Sequence, residues 1–203
     1  MALKSYFAQN QDLATQMNNL IRIVQLNPVL QQVLVKSKSL QLEHYYVGAG
    51  CVTQTVWNYL CGRPLNEGIK DLDFVYYDED LSYDKEGEVI DRVGVLFGDL
   101  PYELDVKNQA RVHLWYEHAF GYPIPPYGSL EAAVNHWPST ATALGLRKDA
   151  DGTWKVYAPF GLNDLFGLIV RANKAQITEP FYVQKAAKWK AKWPELKIIP
   201  WNE

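Results

Sequence analysis

Cysteine is nearly absent from this 203-residue sequence, and the two that occur, Cys51 and Cys61, cannot bridge each other. They lie ten residues apart in a stretch with helical periodicity, about 15 Å along a helix axis, against a limit of about 7 Å between the Cα atoms of a disulfide. Both are expected as thiols, in keeping with a reducing compartment, and the expected location is cytoplasmic. No apolar run approaches the ~20 residues of a membrane-spanning helix. The opening MALKSYFAQNQDLATQ is too polar for a secretory leader. Neither sign of charge dominates: 20 Lys+Arg against 23 Asp+Glu leave a net charge of -3. That argues against a protein-wide basic field for gripping duplex nucleic acid. G-x-S-x-G is missing, and His113 and His118 are five apart rather than at the i, i+4 spacing of a helical zinc pair. Serine-hydrolase and zinc chemistry therefore have no foothold.

What is present is apolar and aromatic mass: 48% hydrophobic residues, with 7 Trp and 13 Tyr, enough for a packed core and too much for a disordered chain. The length fits one large domain rather than two. Leu13, Met17, Leu20, Ile21 and Val24 recur at helical spacing. Asn27-Pro28 then offers an N-cap followed by proline for a second short helix. His44 to Val47 reads as a strand ending at Gly48-Ala49-Gly50, and a helix with Val52, Val56, Tyr59 and Leu60 on its inner face leaves that turn, closed by Gly62. Asp71 to Tyr77 reads as a strand, apolar on both faces in its second half and so interior to a sheet. A helix marked by Val89, Val93, Leu96 and Phe97 precedes a third strand, Tyr102 to Val106, which alternates with period two. Later elements are a helix from Gln109, a proline-rich turn at 123–126, a short helix near Leu130 to Val134, a strand Trp154 to Tyr157, and helices over Leu162 to Val170 and Val183 to Trp193. The expected fold is α/β (α+β): a small mixed β-sheet flanked by helices at both ends. One domain over 1–203 is expected to comprise an N-terminal helical layer (1–40), a catalytic core (41–110) and a mixed C-terminal extension (111–203).

Alternate residues of a strand share a face, so Asp71 and Asp73 point the same way, about 6.6 Å apart. If the Tyr102 to Val106 strand lies beside theirs, Asp105 joins them. Two unit charges at that separation cost roughly 2.5 kcal/mol at an effective dielectric of ~20, so such a cluster calls for a positive occupant. Lys70 and Lys107 compensate in part, and a pair of Mg²⁺ ions compensates fully while clamping the oxygens of a phosphoryl transfer. On the D-x-D spacing alone, three ordinary strand acids are the safer reading. The turn shifts the balance, because Gly48-Ala49-Gly50 between strand and helix lets backbone N–H groups and the positive helix end approach phosphate oxygens. No Gly-Lys-Ser/Thr follows it, which excludes a Walker A loop. The third glycine of a dinucleotide fingerprint falls at Thr53, although Asp78 sits where that fold wants its ribose acid.

Strand, glycine turn, helix, D-x-D, then an acid between apolar residues on a third strand is the order of the polymerase-β type nucleotidyltransferase superfamily. Here it is Val47-Gly48-Ala49-Gly50, Asp71-Leu72-Asp73 and Leu104-Asp105-Val106. The segments VGAGCVTQTVWNYLCGRP, DLDFVYYD, LDVKNQARVH, WPSTATALGLR and APFGLNDLFGLIVR, over about Tyr46 to Arg171, resemble successive blocks of a nucleotidyltransferase-like family of unassigned substrate within it. The resemblance implies that Asp71 and Asp73 bind both Mg²⁺ (or Mn²⁺) ions, and that Asp105 binds the catalytic one and helps deprotonate the attacking hydroxyl. It also implies that Gly48, Ala49 and Gly50 hold the phosphates of a nucleoside triphosphate. The acceptor is unknown, with small molecules, RNA and protein all open. Many members carry Gly-Ser or Gly-Gly where this chain has Gly48-Ala49, and an Arg in the first helical turn where it has none. Thr53 and Gln54 offer only uncharged donors; Lys107 and Arg111 are the nearest cations, weighed equally against a solvated strand end and an exposed helix face. A catalytically silent nucleotide- or partner-binding module and a metal-dependent phosphoester hydrolase are the alternatives.

From Arg171 onward seven Lys/Arg face three Glu, interleaved with Trp189, Trp193 and Trp201. An amphipathic terminal helix with those first two tryptophans buried and its lysines solvated is favoured over a grip on RNA. The alternative burial is against a second copy of the chain, a homodimer.

Overall fold

A computed structural model describes residues 6–203. The first five residues of the segment judged too polar for a leader lie outside them. Asp12 caps α1 (Leu13–Leu26) by accepting from the Thr15 N–H. Asn27 then stops that helix and starts α2 (Pro28–Lys36): its Oδ1 accepts from the Val29 and Leu30 N–H groups. Its Nδ2 reaches the Thr55 hydroxyl at 3.0 Å, tying the helical layer to the helix behind the sheet. The buried stripe of α1 is Leu20, Ile23 and Val24, while Leu13, expected to face inward, is exposed.

A five-stranded mixed sheet follows, in the order β3-β2-β1-β4-β5. β1 (Tyr45–Gly48) runs antiparallel to β2 (Asp71–Tyr76) and to β4 (Gly145–Lys148), which pairs with β5 (Trp154–Tyr157). β2 and β3 (Glu103–Asn108) are parallel, joined by the crossover helix α4 (Tyr83–Phe97). β2 is thus interior, as its apolar half required. Its even residues Leu72, Phe74 and Tyr76 enter the main core with Val47 of β1 and Val106 of β3. Val75, on the opposite face, joins a small cluster with Tyr46 and Leu130. The aspartates share that second face.

Helix α3 (Ala49–Cys61) leaves β1 directly and ends on Gly62 in the left-handed conformation. Behind it, Trp57 meets Trp189 and Trp193 edge-on, with ring centroids 5.9 and 5.5 Å apart. Aromatic pairs of this kind add about 0.5–1.5 kcal/mol each beyond their burial. They fasten α8 (Glu179–Lys192) to α3, as the burial of Trp189 and Trp193 anticipated.

Elsewhere the expectations need correcting. The helix from Gln109 opens as a 3-10 turn (Gln109–Arg111) before α5 (Val112–Phe120), and α6 (Leu130–Val134) lies where expected. The helix read over Leu162 to Val170 is only α7 (Asn163–Phe166). Leu168 takes a positive φ of 55°, and β6 (Ile169–Val170) then pairs with β7 (Lys197–Ile198) in a two-stranded parallel sheet. β4 and the β6–β7 pair had no expectation at all, and α8 begins four residues early because Pro180 is tolerated in a first turn. Among the described residues no helix is long and apolar enough to cross a membrane.

Candidate active site

The parallel register of β2 and β3 sets Asp73 opposite Asp105, and Asp71 opposite Glu103. Asp105 therefore does stand beside the D-x-D pair, on the sheet face away from the main core. Two glycines let α3 approach the same point. A Cβ on Gly48 would lie 2.3 Å from the Leu144 carbonyl oxygen, so only glycine allows β1 to pass β4 this closely. A Cβ on Gly50 would stand 3.4 Å from Asp73 Oδ2, which instead accepts the Gly50 N–H at 3.1 Å. Between them Ala49 takes φ +48°, and its N–H is spent on the Leu144 carbonyl at 3.0 Å. A left-handed backbone costs an L-residue roughly 1–2 kcal/mol, so the turn holds Ala49 in a strained conformation.

Asp73 is partly buried, and its carboxyl is pushed up to about 7, first by desolvation and then by the charges of Asp71 and Asp105. The Gly50 N–H and the ammonium of Lys185 pull the other way without prevailing. Lys107 pairs with Asp105. Among the described residues no three Asp, Glu, His or Cys side chains stand arranged as a ready metal cage. The acids remain clustered hard oxygen donors of the kind Mg²⁺ and Mn²⁺ take. The rival on Asp105 is weak, since both members of the Lys107 pair are about 40% exposed (39% and 40%), and exposed ion pairs are worth about 0–1 kcal/mol.

Two clefts meet at Asp73. The smaller, about 180 Å³, takes in Ala49, Gly50, Gln54, Asp71 and Asp73. The larger, about 240 Å³, runs from Asp73, Asp105 and Lys107 along an aromatic wall that includes Trp115, Tyr116 and Phe120 of α5 and Phe181 of α8. The wall is tied together: Phe120 and Phe181 meet edge-on at 5.5 Å, and Tyr116 stacks near Phe120 at 4.3 Å. Trp137 lies on both clefts, its carbonyl held by the Asn173 side-chain amide at 2.9 Å.

The remaining expected phosphate-site residues are directed elsewhere. Thr53 is fully buried and its hydroxyl donates to the Ala141 carbonyl. Arg111, taken for an exposed helix face or a phosphate cation, is neither. Its side chain is 3% exposed, pairs with Glu86 at 3.0 Å, donates to the Leu81 carbonyl and lies over the Tyr83 ring. Sequence reasoning missed Lys185, read as one of the solvated lysines of α8. It lines both clefts and is partly buried, and desolvation lowers its pKa against the opposing pull of Asp73 and Asp71. Neither Trp137 nor the α5 aromatics were expected at the site. The Phe181-Lys185-Trp189 spacing was visible, but no local signal says what that helix face meets.

The structure thus sets a D-x-D pair and a third aspartate on parallel neighbouring strands, beside a glycine turn at a helix start, on an α+β fold. A family model described as Nucleotidyltransferase matches residues 36–198, and the chain belongs to that family. The fold is similar to an NMR structure described as revealing a CCA-adding enzyme head domain. That likeness has 23% identity and a TM-score of 0.74 over 90% of this chain and 95% of the other. Two structures of a tRNA-processing enzyme, an apo form and a complex, match at TM-score 0.50, with 17% and 19% identity. They cover 89% and 82% of this chain but only 44% and 43% of theirs. At these identities the likeness is one of fold. No curated protein matches the sequence.

Proposed function

We propose that this protein transfers a nucleoside monophosphate from a nucleoside triphosphate to a hydroxyl acceptor, with Asp71, Asp73 and Asp105 holding Mg²⁺ or Mn²⁺. The observation that carries the reading is the Asp73–Asp105 register, which sets two carboxylates side by side where two clefts join. A divalent cation bound there supplies the positive charge that phosphoryl transfer needs at its attacking and departing oxygens.

The chain's own residues divide the work. Asp71, Gly50 and Gln54 border the smaller cleft, which takes the triphosphate. Asp105 borders the larger one, where it accepts the proton of an acceptor hydroxyl as that oxygen bonds to the α-phosphorus and pyrophosphate leaves. Donor and acceptor then approach Asp73 from opposite sides, as an in-line displacement requires. The aromatic wall offers ring faces for a base. The names of the structural relatives make tRNA one acceptor to test.

The test is incubation with each α-labelled triphosphate, Mg²⁺ and acceptors drawn from tRNA, small hydroxyl metabolites and protein. Labelled acceptor with release of pyrophosphate is expected, and no transfer from any of the four triphosphates overturns the reading. One observation favours a silent nucleotide-binding module: Lys107 already neutralises Asp105. That alternative predicts nucleotide affinity indifferent to a chelator, whereas the enzyme loses its affinity there and in Asp73→Asn.

A further inference from the structure

A nucleoside triphosphate brings several negative charges to a surface that already holds three carboxylates, so it needs fixed protein cations as well as a metal. The first turn of α3, Ala49 to Val52, provides none. Arg111 is locked to Glu86, and Lys107 is turned to Asp105. Lys185 differs from both. Among the described residues no carboxylate stands within the 4.0 Å of an ion pair from its ammonium, and the side chain lines both clefts on either side of Asp73.

Its position is held rather than free. The ammonium sits 5.6 Å from the Phe181 ring centroid and 5.5 Å from that of Trp189, one turn before and one turn after it. Such cation–π contacts fix a lysine head without neutralising it. Trp189 in turn packs edge-on against Trp57 of α3, so the helix that carries Lys185 is fastened to the helix whose first turn borders the smaller cleft. A second group there awaits a partner: Gln54, 8% exposed, lines the same cleft, and its Oε1 is buried without a hydrogen bond.

We propose that Lys185 grips the phosphates of the bound nucleoside triphosphate, taking the place of the first-turn arginine that α3 lacks. This rests on the nucleotidyltransferase reading and adds the residue that selects a triphosphate over a less charged nucleotide. An arginine in α3 would come with the helix, whereas Lys185 comes from an element 130 residues further along the chain. Phosphate binding is thereby linked to the docking of α8.

The experiment is calorimetric titration of the four nucleoside triphosphates, and of the matching monophosphates, with Mg²⁺ into the full chain and its variants. Lys185→Met is expected to weaken triphosphate binding by roughly tenfold or more and to narrow the preference over the monophosphate. Lys185→Gln carries the same expectation and guards against a packing defect, while Lys185→Arg keeps most of the affinity. Lys188→Met, the same charge change on the exposed side of α8, leaves affinity nearly unchanged. Triphosphate binding by Lys185→Met as tight as wild type, or an equal loss in Lys188→Met, overturns the inference and leaves the functional reading intact. A wild-type protein that binds none of the four overturns both.

Discussion

The Gly50 N–H donates to Asp73 Oδ2 at 3.1 Å, so the start of α3 is occupied by the protein's own carboxylate. The glycine turn therefore positions an acid as well as opening a path for phosphate. Its two glycines have different jobs, which substitution separates. Gly48→Ala drives a Cβ to 2.3 Å from a backbone oxygen of β4. A denaturant melt should show a loss of about 1–3 kcal/mol or more, as for other overpacked sites. In Gly50→Ala the Cβ meets the mobile end of Gln54 at 3.0 Å and Asp73 at 3.4 Å. Stability should change by less than about 1 kcal/mol, since alanine favours the helix, while transfer activity falls at least tenfold. Equal destabilisation by the two would contradict this division.

Asp73→Asn should trade activity for stability. The carboxyl is desolvated beside two like charges, so a neutral amide removes repulsion that the fold otherwise bears. The metal-free variant is expected to melt higher than wild type at pH 8, by an amount on the order of 1–3 kcal/mol. Its transfer rate is expected to drop by about a hundredfold or more. A lower melting temperature at pH 8 would show that the Gly50 hydrogen bond outweighs the repulsion.

The pH dependence has a definite sign. Asp73 is pushed up to about 7 in the folded protein from an ordinary 3.8. Between those values the folded state holds a proton that the unfolded state has released, so stability falls as pH rises through this window. Below about 4 both states are protonated and the contribution vanishes; above 7 the full penalty applies. Metal-free protein should therefore melt progressively lower from pH 4 to pH 7 relative to Asp73→Asn, which removes this contribution. Millimolar Mg²⁺ should offset the loss at pH 8 by binding the folded form.

Most of this site was legible because its parts are local. D-x-D fixes a shared face through strand alternation, and glycine flanked by a strand and a helix fixes a turn. The Leu104-Asp105-Val106 step finds its partner once the two strands are neighbours. What was not legible depends on distant docking. Lys185 and Phe181 come to the cleft beside Asp73 through the packing of α8, which Trp189 and Trp193 help seat on α3, and a lysine on an amphipathic helix looks the same whether it faces water or a cleft. Arg111 failed for the reverse reason: Glu86, on the crossover helix, claims it. β4 was missed because Gly145-Leu146-Arg147-Lys148 shows no alternation, its first half being buried among neighbouring strands on both faces.

The seam that seats α8 is testable at a single polar contact. The Trp193 indole N–H donates to Asn58 Oδ1 at 2.7 Å in a fully buried setting, while Asn58 Nδ2 is used by the Leu65 and Glu67 carbonyls at 3.1 and 2.8 Å. Trp193→Phe keeps an aromatic ring but strands Asn58 Oδ1, which should cost about 1–3 kcal/mol in urea unfolding. Because α8 carries Lys185, the same variant should also weaken triphosphate binding under conditions where it is fully folded, though by less than Lys185→Met. Unchanged affinity in a destabilised Trp193→Phe would mean that α8 keeps its place over the cleft without this contact, held by its other ties, among them the Trp57–Trp189 packing and the Arg63 bond to the Lys192 carbonyl.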